Sequence, residues 1–92
     1  MAELEIPDEA RRAAWDEFWY QSTAGADPEQ SLSRAVHVAV PLAVAAELDR
    51  LAGQWDAERR DTRQEGDMRM ATAIGYAIRC LRTRARQLRG QA

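Results

Sequence analysis

The chain contains no lysine and no asparagine, and all thirteen basic side chains are arginine. Its 92 residues include one cysteine, one histidine, one phenylalanine and three prolines. Each scarcity excludes something. A single thiol cannot build a disulfide framework. One Cys and one His, far apart in sequence, cannot supply the three or four converging ligands of a zinc site. No glycine-rich phosphate loop and no nucleophile motif occurs. Long apolar runs are also missing: Ala35 to Ala46 covers twelve residues and contains His37 and Pro41. A spanning helix needs about 20 mostly apolar residues, so length argues against a membrane segment. The acidic opening argues against a secretory signal, and a cytoplasmic protein is expected. With eighteen alanines and no lysine or asparagine, the gene has the codon bias of a GC-rich genome.

Hydrophobic residues make up 46% and charged residues 30%, which is ordinary for a globular domain. The length suits one domain over residues 1–92. Charge is distributed unevenly. Residues 1–30 hold eight acids and two arginines, while residues 61–92 hold seven arginines and three acids. An acidic front and a basic back either attract each other or face different partners. Acidic pairs such as Asp16 and Glu17, or Asp56 and Glu58, read as solvated faces, so no enzymatic activity, catalytic residue, cofactor or metal is expected.

The pattern along the chain predicts an all-α domain with helices over about 7–21, 30–60 and 67–89. Pro7 suits a helix start, with Asp8 and Glu9 complementing the positive end of the helix dipole. Ala10, Ala14, Trp15, Phe18 and Trp19 share one half of the wheel, and Tyr20 falls outside it. Gly25 and Pro28 mark the loop that follows. In the second helix Leu32, Ala35, Val36, Ala39 and Val40 lie on one face, and Val44, Leu48, Leu51 and Trp55 form a stripe beyond Pro41. The proline removes a hydrogen bond and should bend or interrupt the helix. Gly66 and Asp67 read as the cap of that helix and the N-cap of the next. The last helix carries Met70, Ile74, Ala77, Ile78, Leu81, Ala85 and Leu88, widened by Ala73, Tyr76 and Cys80.

These stripes imply an antiparallel hairpin of the second and third helices, closed by the aromatic face of the first. Leu48, Leu51, Ile74 and Leu81 are expected to be buried across it, Cys80 to be a small buried side chain, and His37 to be structural.

Two resemblances bear on role. "VHVAVPLAVAAELDRLA" and "MATAIGYAIRCLR" resemble the strand and helices of ribbon-helix-helix repressors, which implies a DNA-binding dimer. Against that, the ribbon would offer only His37 as a polar reader of bases. The helical motifs also stand too far apart, and the domain is acidic rather than basic. A second resemblance covers more of the chain. "IPDEA" (Ile6 to Ala10), "PLAVAAELDRLA" (Pro41 to Ala52) and "LRTRARQLRG" (Leu81 to Gly90) resemble short orphan proteins of actinobacteriophages. Their pattern is an opening IPDEA, a central APxxVAAELxxLA and a closing LRxRAxxLRG. Val40 replaces the alanine before the proline, and the run Trp15 to Tyr20 departs from the pattern. That resemblance implies a small phage-encoded accessory protein that binds a host protein and perturbs host growth. It transfers no site residues. The alternatives are the DNA-binding regulator and a small homo-oligomeric assembly component such as a homodimer.

Two surfaces are candidates for partner binding. One is the aromatic turn at Trp19 and Tyr20. The other is the stripe Arg79, Arg82, Arg86 and Arg89, opposite the apolar side of the last helix. No aromatic is interleaved with these arginines for base stacking, which favours an acidic protein over nucleic acid.

Overall fold

The computed structural model describes residues 6–91, and these are helical almost throughout. Helix α1 spans Asp8–Thr23, α2 spans Pro28–Gln64 and α3 spans Met68–Gln91. Both links are the same kind of turn. Gly25 and Gly66 adopt positive φ, which glycine does without steric cost. Across these turns the Ala26 N–H donates to the Gln21 carbonyl at 3.0 Å and the Asp67 N–H to the Thr62 carbonyl at 3.1 Å. The next helices are capped by aspartate. Asp27 accepts from the Gln30 N–H at 2.9 Å and Asp67 from the Met70 N–H at 3.0 Å. Such caps are worth roughly 1 kcal/mol each.

The long helix organises the rest. At 1.5 Å per residue α2 runs about 55 Å, while α1 and α3 run about 24 and 36 Å. The two short helices lie end to end, antiparallel along α2. The result is a flat, elongated layer of 61 × 29 × 14 Å. Its radius of gyration is 17.9 Å, whereas a compact domain of this length would have about 12 Å. The α2–α3 hairpin therefore forms, but α1 does not close it. It packs beside the N-terminal half of α2 and meets α3 only at its tip, so α3 has one neighbouring helix and not two.

The seam is built from small residues. On α2 it follows Ser31, Ala35, Val38, Leu42, Ala45, Asp49, Ala52, Asp56 and Arg59, in alternating steps of four and three. That is the 3.5-residue period of coiled-coil contacts. On α3 it follows Ala71, Ile74, Ile78, Leu81, Ala85 and Leu88, and on α1 Ala10, Ala14, Glu17 and Gln21. The buried apolar residues are Ala10, Ala35, Ala45, Ala52, Ala71, Ala85 and Ile78, so Ile78 is the one large side chain among them. Alanine lets the helix backbones approach closely, and the larger side chains are pushed to the flanks. Leu48, Leu51, Ile74 and Leu81 accordingly sit half-buried beside the seam instead of forming its centre. Buried Ser31 is not left unpaired: the Ser22 hydroxyl donates to its Oγ at 3.3 Å.

Pro41 lies inside α2, and helical structure continues through it without a break. Proline in a helix interior costs about 3 kcal/mol through the lost bond to residue 37 and ring crowding. Here α1 braces the segment before it and α3 the segment after it. His37, the residue whose carbonyl loses its donor, is exposed, so water can reach that carbonyl. The stretch 35–40 is helical, and this removes the strand that a ribbon-helix-helix architecture requires.

Candidate protein-binding surfaces

Three surfaces stand out, one on each helix. The first is aromatic. On α1 Trp15 is 62%, Trp19 53% and Tyr20 67% exposed. Only Phe18 turns partly inward. The two indoles lie one turn apart and meet edge to face, with ring centroids 5.8 Å apart and planes at 78°. Such edge-to-face contacts are favourable for aromatic pairs. Asp16 and Glu17 stand between them in sequence, and the α1 first turn adds Asp8 and Glu9. The sequence pattern places Trp15 and Trp19 on the face expected to close the hairpin, with Trp19 also a candidate contact. In the fold they are surface residues, because the α1 seam runs through Ala10 and Ala14 instead. Trp15 thereby joins Trp19 and Tyr20 as a candidate contact, and Tyr76 on α3 is likewise exposed at 68%.

The second surface is the arginine stripe, which divides. Arg89 is committed within the fold. Its guanidinium donates to Glu9 Oε1 at 2.9 Å and to Asp49 Oδ2 at 2.7 Å. It thus ties the start of α1, the middle of α2 and the end of α3 together. The hydrogen bonds it donates, to Glu9 first and then to Asp49, raise its pKa above the ordinary arginine value. Arg89 is therefore a structural clasp and not a free contact residue. Arg79, Arg82 and Arg86 are exposed and make no ion pair among the described residues. The clasp also realises, at one point, the attraction between the acidic front and the basic back.

The third surface is aliphatic, and the sequence pattern places most of it on one face of the second helix. Leu32, Val36, Val40 and Val44 are 59%, 53%, 52% and 44% exposed. Spaced by four, each is rotated about 40° from the last, so the row winds slowly across the outer side of α2, away from the seam. The apolar window of this helix is long enough, by length and composition, to cross a membrane, yet only 17% of it is buried. The count of twelve consecutive apolar residues overlooks this, because the helix extends well past both ends of the run.

Shallow features complete the inventory. An open groove of about 280 Å³ on the α2–α3 hairpin is lined by Trp55, Glu58, Ala73, Ile74 and Ala77. Cys80 is exposed, contrary to the expectation of burial. Among the described residues no three or more His, Cys, Asp or Glu side chains cluster to hold a metal ion.

No protein-family model matches the chain, and neither curated proteins nor solved structures give a significant match.

Proposed function

We propose that this chain is a non-catalytic interaction protein that acts by binding another protein through the aromatic surface of α1. The observation that carries the reading is the edge-to-face pair Trp15 and Trp19, both more than half exposed one turn apart on α1. Tryptophan and tyrosine supply most interface hot spots, because they bury large area at small entropic cost. A domain this small gains nothing in its own stability from leaving three such rings in water. The chemistry fits an apolar pocket or groove on the partner. The exposed arginines Arg79, Arg82 and Arg86 offer a second, positively charged contact. The resemblance to short actinobacteriophage proteins gives this binding a setting: a phage-encoded accessory protein that engages a host protein in the bacterial cytoplasm and perturbs host growth.

The test is expression in an actinobacterial host. Wild type should slow growth or alter cell form. Trp15→Ala with Trp19→Ala should relieve the effect at equal protein level and equal helicity, and Tyr20→Ala should relieve it in part. Reversal of charge at Arg82 and Arg86 probes the second contact. If wild type leaves growth unchanged and instead binds duplex DNA with a steep salt dependence, the interaction reading fails.

A further inference from the structure

Helix α3 carries six arginines and no acid, and no acid follows Asp67 to the end of the chain. Among the described residues Arg89 alone of the six is ion-paired. The chain is acidic overall, but charges more than about 8–10 Å apart are largely screened at physiological salt. A ligand at α3 therefore meets its local positive charge. The α3 seam repeats in steps of three and four, and a second stripe keeps the same steps two residues ahead of it: Arg69, Thr72, Tyr76, Arg79, Thr83 and Arg86. Two residues turn a helix by about 200°, so this stripe lies on the side of α3 opposite the seam. All six residues are exposed, and they run about 26 Å along the helix. Arg82 stands beside them, one turn from both Arg79 and Arg86. In sequence Tyr76 belongs to the widened apolar side, which leaves the arginines without a ring. In the fold it is 68% exposed, one turn from Arg79, and that objection to nucleic acid disappears.

We propose that this outer stripe of α3 binds single-stranded nucleic acid, with its arginines on phosphates and Tyr76 stacked on a base. The planar guanidinium fork matches phosphate oxygens two at a time. Thr83 adds a hydroxyl donor, whereas the Thr72 hydroxyl already donates to the Met68 carbonyl at 2.8 Å. What the stripe lacks decides between ligands. From Arg69 to Arg86 it holds no aliphatic side chain, so its centre is charge. A protein interface has the reverse layout, an apolar centre with charge at its rim. A positive track with a ring on which a base can stack is the chemistry of single-strand binding. In a duplex each base face is already covered by the next pair, so Tyr76 can stack only on an unpaired base. This face is separate from the aromatic surface of α1 and gives the second contact a ligand of its own.

The test is fluorescence anisotropy of labelled oligothymidylate and oligouridylate, each about 20 nucleotides long, titrated with the full chain. Between about 50 and 200 mM salt, log affinity should fall against log salt with a slope of about −2 to −3, as three or four arginines on phosphates require. Arg79→Gln and Arg86→Gln should each make that slope shallower by about 0.7. Tyr76→Ala should weaken binding about 5- to 100-fold without changing the slope, and Tyr76→Phe should bind like wild type. Every substituted residue is exposed, so circular dichroism of these variants should match wild type. Trp15→Ala with Trp19→Ala should leave the titration unchanged, so failure here and failure of the α1 surface are told apart. No binding of either oligonucleotide at the lowest salt overturns the proposal. So does binding that the arginine substitutions leave unchanged. A duplex of equal length bound as tightly, with Tyr76→Ala without effect, overturns single-strand recognition. Polyglutamate bound as tightly as the oligonucleotides, with the same arginine dependence, assigns the stripe to an acidic protein instead.

Discussion

Ile78→Ala should be the most damaging single truncation in the hairpin. Ile78 is 3% exposed and is flanked along the α3 seam by buried Ala71 and Ala85, one heptad away on either side. Truncation removes three carbon groups, worth about 0.8 kcal/mol each in transfer free energy. The seam is bordered by half-buried side chains that can settle inward, so the cavity contribution should be small. The expected loss is about 2–3 kcal/mol, at the low end for such truncations. Leu48 is only half-buried beside the seam, and Leu48→Ala should cost roughly half as much, about 1–1.5 kcal/mol. For a domain of this size 2–3 kcal/mol corresponds to a fall in melting temperature of about 10–20 °C. Urea unfolding followed by circular dichroism, at one fixed protein concentration, gives both values. An Ile78→Ala protein that loses less stability than Leu48→Ala would refute the alanine-centred seam and restore the leucine stripe as the core.

Four further outcomes are expected. Gly53 lies mid-helix with open space around its Cα, so Gly53→Ala should stabilise by about 0.5–1 kcal/mol. Gly66→Ala, at φ +88°, should instead destabilise by about 1 kcal/mol or more, and thermal melts of the two variants will show opposite signs. Arg89→Gln removes the clasp between α1, α2 and α3. Its charges are partly exposed, so the loss should be only about 0.5–1 kcal/mol and should shrink in high salt. The Arg89 pKa lies above the ordinary arginine value in the folded state. Its contribution is present at all pH values below that ordinary value and fades only as pH climbs past it, so the effect of Arg89→Gln should not change between pH 6 and 9. Exposed Cys80 should react with a thiol reagent in the native protein at close to the unfolded rate.

Much of this fold is legible in the sequence, and the exceptions share one cause. Asp27 with Pro28, and Gly66 with Asp67, mark the ends of the helices through local chemistry alone. The all-α class follows from period, and the hairpin from the short link. The seam was obscured because its residues are quiet. Ser31, Ala35, Ala45 and Ala52 carry little hydrophobic signal, while Val44, Leu48, Leu51 and Trp55 carry much. The louder stripe draws the core toward itself. Close backbone approach inverts that ranking, placing alanine in the middle and the large side chains at the margin. The same displacement puts Trp15 and Trp19 outside, and it leaves the row Leu32 to Val44 facing away from α1 and α3. The end-to-end arrangement of α1 and α3 rests on relative lengths and on the Arg89 clasp, a pairing across 80 residues that no local pattern announces. The aromatic surface was partly visible: Trp19 and Tyr20 stand out in sequence as a candidate contact, but Trp15 lies on the apolar arc and does not.

The measurement that bears most directly on the binding role is quantitative affinity capture from actinobacterial lysate, with wild type and the Trp15→Ala, Trp19→Ala double variant compared side by side. The expected result is one host protein, enriched in near-stoichiometric amount by wild type and lost by the variant, whose helicity and mass are unchanged. Identical recovery by the two proteins, or no stoichiometric partner with either, would contradict the assignment of α1 as the binding surface.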